Sequence, residues 1–204
     1  MSQGNRPTPE PASADTDTKT SSPTSSETTQ SSGSTSPPVF GGIFYGILAT
    51  IVSSIGVLAL FGSRIPNQRL EPYFEAEYTV EFFVWIIYSA YNVDIINKST
   101  GEPLNYLVEL PVGNPLHFAA IPAAVLFFCG LLLARKRSTI KDGFRAGTAV
   151  TWSYTPLFAI GSYYFEFTQN GVSYGPDMQG AILIAGFGFP LVFAGLGGAL
   201  SGAT

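Results

Sequence analysis

The chain has 204 residues, 46% of them hydrophobic and only 12% charged, with acids outnumbering bases for a net charge of −4. Soluble domains carry about a quarter charged residues, so this composition argues against an ordinary soluble globule, and the acid excess argues against nucleic acid as a partner. The single cysteine, Cys129, and single histidine, His117, exclude an internal disulfide and a CxxC zinc site and leave too few residues for a nucleophilic triad; a carboxylate-only metal site stays open.

Residues 1–38 hold almost no apolar side chains and include the run SSPTSSETTQSSGSTSPP. Such a segment buries too little surface to offset its chain entropy, so a disordered, solvated tail is expected. It has no apolar core behind a basic start and does not read as a secretory signal. Its Ser/Thr/Pro content also fits an O-glycosylated stalk.

Residues 39–62 form the first charge-free run, long enough to cross a hydrocarbon core of about 30 Å. Gly42 and Gly46 in it make a GxxxG pattern, a face that lets helices approach closely, either within one bundle or between copies. The second candidate, residues 78–96, carries Glu81 near one end and Asn92 and Asp94 near the other. Its uncharged middle is short, so length alone leaves a full span, a re-entrant segment and an interfacial helix all open. Helical spacing puts Glu77, Glu81, Trp85, Tyr88 and Asn92 on one stripe. Facing the bundle, that stripe could carry a proton or hold a cation. The plainer reading is that Glu81 reaches the membrane interface.

Residues 117–134 form the third expected span, which ends against Arg135, Lys136 and Arg137. His117 reads as an interfacial residue and Cys129 as a small buried hydrophobe. The loop ARKRSTIKDGFR follows; its cations suit topology and contact with anionic lipid heads. Residues 147–165 form the fourth span, beginning at a second GxxxG, Gly143 to Gly147. Its hydroxyls (Thr148, Thr151, Ser153, Thr155 and Ser162) either line a polar path or bond back to their own helix. Residues 179–200 form a glycine-rich fifth span in which Ala194 and Gly198 share a face. Pro122, Pro156 and Pro190 each fall inside a span, where proline frees a carbonyl. No pair of similar halves is evident, which removes the usual pointer to an inverted-repeat transporter.

Loop charge orients the chain, because Lys and Arg near span ends favour the cytoplasm. Five spans put Arg64, Arg69 and the whole basic loop inside, leaving only Lys98 outside near a span. Four spans would put Arg64, Arg69 and Lys98 outside together. The expectation is therefore five transmembrane helices, with four as the alternative, the N-terminus outside and the C-terminus cytoplasmic. Asn97-Lys98-Ser99, a glycosylation sequon, then falls in an outside loop.

Two motifs carry a resemblance. VWIIYSAYNVDI, Val84 to Ile95, and AGFGFPLVFAGLGGALSG, Ala185 to Gly202, resemble an aromatic helix and a Gly-rich closing span of a family of multi-pass membrane proteins from halophilic archaea. The family's Tyr-Asn-Ala-His is Tyr88-Ser89-Ala90-Tyr91 here, so no imidazole stands at that position. The resemblance spans about residues 39–202. It implies a helical membrane fold and no activity, since the family's shared domain has no assigned function.

The sequence is thus read as an all-α integral membrane bundle in the cell membrane, without cofactor or metal, and not as an enzyme. Its partners are the lipid bilayer and either itself or other membrane proteins. A structural or accessory component fits the glycine faces, Gly42 and Gly46 or Ala194 and Gly198. The alternative is a small ion or solute channel or transporter using Glu77, Glu81, Tyr88 and Asn92.

Overall fold

The computed structural model describes residues 39–64, 79–110, 112–169 and 171–204; the expected disordered tail, Glu77 and Arg69 lie outside them. Among the described residues three helices are long and apolar enough to cross a membrane by length and composition: α1 (Val39–Arg64), α4 (Pro115–Ala134) and α7 (Met178–Ser201). Shorter helices are α2 (Thr79–Ala90), α3 (Tyr106–Glu109), α5 (Ile140–Thr148) and α6 (Thr151–Tyr164). Four strands, β1 (Ile95–Asn97), β2 (Pro103–Leu104), β3 (Phe167–Gln169) and β4 (Val172–Pro176), make a small antiparallel sheet in the order β2-β1-β4-β3. The all-α expectation is corrected by this sheet.

Helix starts follow from local chemistry. Asn114 caps α4, accepting from the Leu116 N–H, with Pro115 in the first turn where its missing N–H costs nothing. Thr139 accepts from the Asp142 N–H and donates its hydroxyl back to the Asp142 carboxylate, fixing the start of α5. Asp177 caps α7 through the Gln179 and Gly180 N–H groups.

The five-span expectation is not supported. The segment expected to span at residues 78–96 is helical for 12 residues, about 18 Å at the helical rise, and then turns back. Asn92 sits at φ 59°, in the left-handed region. The Asn92 N–H bonds the Ser89 carbonyl at 3.0 Å and the Val93 N–H bonds the Tyr88 carbonyl at 3.1 Å. That is a Schellman stop, with asparagine in the position glycine usually fills. Along α2 the partners on α6 recede from its C-terminal end: Phe165 for Trp85, Phe158 for Tyr88, Tyr154 for Tyr91. After the stop the chain climbs again, past Gly180 at Val93 and the Asp177 N–H at Asp94, to pair Ile95 with Pro176. The helix enters the bundle from the sheet end and the chain leaves by the same end.

The fourth expected span is also interrupted. α5 and α6 meet at a tight turn, where Ala149 and Val150 bond three residues back, and α6 alone has 14 residues. Both pieces nonetheless run antiparallel along α7: Thr139 against Gly202, Gly143 against Gly198, Gly147 against Ala194, Thr155 against Gly186. α7 itself takes wide π-type turns over Ala181–Gly188 and Pro190–Ala194. Near Pro190 the Thr155 hydroxyl of α6 donates to the Gly186 carbonyl at 2.9 Å, tying the two helices together.

α1 runs antiparallel to α4, with Gly41 beside Leu133 and Gly56 beside Ile121, and parallel to α6, with Gly42 at Ala149 and Gly46 at Ser153. The bundle thus has a basic end, at the start of α1 and α5 and the finish of α4 and α7. The opposite end carries the sheet and most of the carboxylates among the described residues, including Glu81, Asp94, Glu102, Glu166 and Asp177. Large apolar side chains are exposed along the outside of α1, α4, α6 and α7, including Phe44, Ile55, Phe128, Trp152, Leu183 and Leu196.

Candidate functional site

The tip of α2 is the most polar part of the interior. Tyr91 is fully buried, and its ring packs edge-on against Phe158 at 4.7 Å and Phe189 at 5.1 Å. Its hydroxyl lies 3.1 Å from that of Tyr154, which is also fully buried. Thr50 and Ser53 of α1 lie beside these phenols, yet the Thr50 hydroxyl bonds back to the Gly46 carbonyl and Ser53 Oγ makes no hydrogen bond of normal geometry. Ser89 Oγ and Thr151 Oγ1 are likewise buried without a partner. A buried hydroxyl left unpaired costs about 1–3 kcal/mol, a cost that an ordered water removes. The cluster offers hydroxyl donors and acceptors from three helices. Among the described residues no group of three or more His, Cys, Asp or Glu side chains could hold a metal ion.

The expected polar stripe is drawn apart. Glu81 is half-buried in the first turn of α2 at the sheet end, where its charge complements the helix dipole. Trp85 Nε1 donates to the Phe165 carbonyl at 2.9 Å, and the Tyr88 hydroxyl donates to the Phe158 carbonyl at 2.7 Å. Asn92 is the exposed left-handed residue of the stop, and Glu77 lies outside the described residues. The polar atoms of Trp85 and Tyr88 are therefore used to hold α2 against α6. Gly161 makes room for this: a Cβ there would come within 2.5 Å of the Tyr88 hydroxyl.

The two glycine faces are occupied inside the bundle. A Cβ at Gly42 would overlap the Ala149 carbonyl, and one at Gly46 would overlap Ser153 Oγ. A Cβ at Gly198 would overlap the Gly143 carbonyl, while the Ala194 carbonyl stands where Cβ atoms of Gly130 and Gly147 would be. Such approach places backbone against backbone, where packing and weak Cα–H···O contacts hold helices without side chains. Of the fourth-segment hydroxyls, Thr148, Ser153 and Ser162 bond back to carbonyls of Arg145, Val150 and Ala159. His117 is exposed on α4 at the sheet end, and Cys129 is buried in the core.

Sequence reasoning missed the Tyr91–Tyr154 pair. No spacing rule joins residues on separate segments. The Asn92 stop, however, had a signal: asparagine directly after an apolar helix, followed by a β-branched residue and a polar one.

The sequence matches one family over residues 21–204. No curated protein and no solved structure matches the chain. With nearly its whole length covered, the chain belongs to DUF7978, a family of unknown function.

Proposed function

We propose that this chain is an integral membrane protein of structural or accessory kind, crossing four times with α2 as a re-entrant helix. The observation that carries this reading is the reversal of α2 at Asn92, with the stripe's indole and phenol spent on carbonyls of α6. A conduit would need those groups to face water. Exposed apolar side chains on α1, α4, α6 and α7 support immersion in lipid. α1, α4, the α5–α6 run and α7 are the four crossings; residues 140–164 together measure about 37 Å at the helical rise.

This threading brings the start of α1 to the same side as the end of α7. The basic loop favours the cytoplasm for that side, so this reading has a cytoplasmic N-terminus where the five-span threading has an outside one. The sheet end and Glu81 then face outward. Counting Arg64 and Arg69 as inside residues favours five spans; the reversal of α2 at Asn92 supports four.

The test uses a Cys129→Ala background carrying single cysteines, Ser99→Cys or Ser138→Cys, with a protease-cleavable tag ahead of α1. In intact cells a membrane-impermeant maleimide should label the Ser99 variant alone, and added protease should spare the tag. Loss of the tag with Ser138 protected would restore five crossings. In liposomes, an ion flux above the empty-vesicle level that Glu81→Gln abolishes would overturn the accessory reading.

A further inference from the structure

At the basic end α4 and α7 converge until backbone meets backbone: Gly130 stands against the Ala194 carbonyl and Gly197 against the Phe127 carbonyl. Their C-terminal turns emerge side by side. A polar pocket of about 630 Å³ opens between them, lined by Arg135, Lys136, Arg137 and the turn from Ser201 to Thr204. Directly below it, on the outer face, an apolar groove of about 410 Å³ runs between Phe128 and Leu132 on one side and Leu200 on the other. Arg135, Ser201 and Thr204 line both spaces, so pocket and groove are continuous.

The cations of the pocket are unanswered within the described residues. The ion pair found there joins Lys98 to Glu166 at the opposite end. Asp142, on the neighbouring α5, accepts the Thr139 hydroxyl. The two helix C-termini contribute roughly half a negative charge each, which leaves a clear positive excess over three basic side chains. Phe128, Leu132 and Leu200 below them are exposed. Positive charge above and an apolar trough beneath match one ligand chemistry, an anionic head joined to a hydrocarbon tail.

We propose that this is a binding site for an anionic phospholipid, with its phosphate at Arg135, Lys136 and Arg137 and one tail laid between Phe128, Leu132 and Leu200. The inference rests on the membrane reading above. Charges serving orientation alone would not need a groove beneath them.

The experiment follows thermal unfolding of the purified full chain in zwitterionic detergent. Phosphatidylglycerol or phosphatidylcholine is titrated in, and lipid retention is read by native mass spectrometry. Phosphatidylglycerol should give a saturable rise in midpoint and one retained lipid, and phosphatidylcholine should not. Arg135→Gln with Arg137→Gln should abolish the rise. Lys141→Gln with Arg145→Gln, an equal charge change on α5, should keep it. Leu200→Trp, which fills the groove, should weaken it. Equal loss in both charge pairs would overturn the site in favour of unspecific attraction. The same rise with inorganic phosphate alone would overturn the lipid in favour of a soluble anion. Carbonate washing of membranes separates the two levels of inference. Release of the chain would overturn the membrane reading and this site together; retention with lipid-indifferent melting would overturn the site alone.

Discussion

Gly46→Ala should destabilise the bundle although alanine is the better helix former. A Cβ at Gly46 would land on Ser153 Oγ and lie 3.0 Å from the Val150 carbonyl. Ser153 has little freedom to yield, being 5% exposed and bonded to that same carbonyl at 3.0 Å. Overpacking of this kind costs about 1–3 kcal/mol, against about 0.5–1 kcal/mol gained by replacing an interior helical glycine. The net loss of about 1–2 kcal/mol corresponds to a fall of roughly 2–8 °C in midpoint for a chain of this size. Gly62→Ala is the internal control. It has no atom within 4 Å of its Cβ and should gain up to about 1 kcal/mol. Midpoints are read in detergent at one fixed scan rate, since unfolding of such proteins is often irreversible. Adding Ser153→Ala to Gly46→Ala should recover most of the loss, because the nearest remaining side-chain atom, the residue-153 Cβ, lies 3.2 Å away. If Gly46→Ala melts with the wild type but changes the oligomeric state, the Gly42–Gly46 face meets another copy rather than α6, and the packing argument fails.

Asn92→Gly should melt at or slightly above the wild-type temperature, whereas Asn92→Val should lose about 1–2 kcal/mol, because a β-branched residue is forced to positive φ at the stop; equal melting of the two variants would mean that α2 does not turn there. Burial first, and then repulsion from the Tyr174 phenolate, raise the Tyr106 pKa above its ordinary value. Tyr106 stacks on Trp85 at 5.8 Å outside the long helices. The folded state therefore holds this proton more tightly than the unfolded chain does, so its contribution is full below about pH 10 and is lost as pH rises through the folded value. Tyr106→Phe should flatten the fall of midpoint above about pH 10, and an unchanged slope would refute the assignment.

Where the long helices lie is readable from composition alone. Charge-free runs at residues 39–62, 117–134 and 179–200 became α1, α4 and α7 with ends moved by about two residues, because an apolar run of that length satisfies its backbone best as a helix. The segregation of the cations after α4 is readable in the same way. Which way α2 goes depends instead on contacts distant in the chain. Its composition suits a span or a re-entrant piece equally, and the choice depends on whether α6 offers the carbonyls of Phe158 and Phe165 to Tyr88 and Trp85. The sheet was invisible for a related reason: strands of two to five residues carry no readable period and exist because the loops after α2 and α6 meet at one end. The glycine faces were legible as faces, but their partners were not. A pattern such as Gly42 and Gly46 states that something comes close, and the folded chain supplies the Ala149 carbonyl and the Ser153 side chain that do.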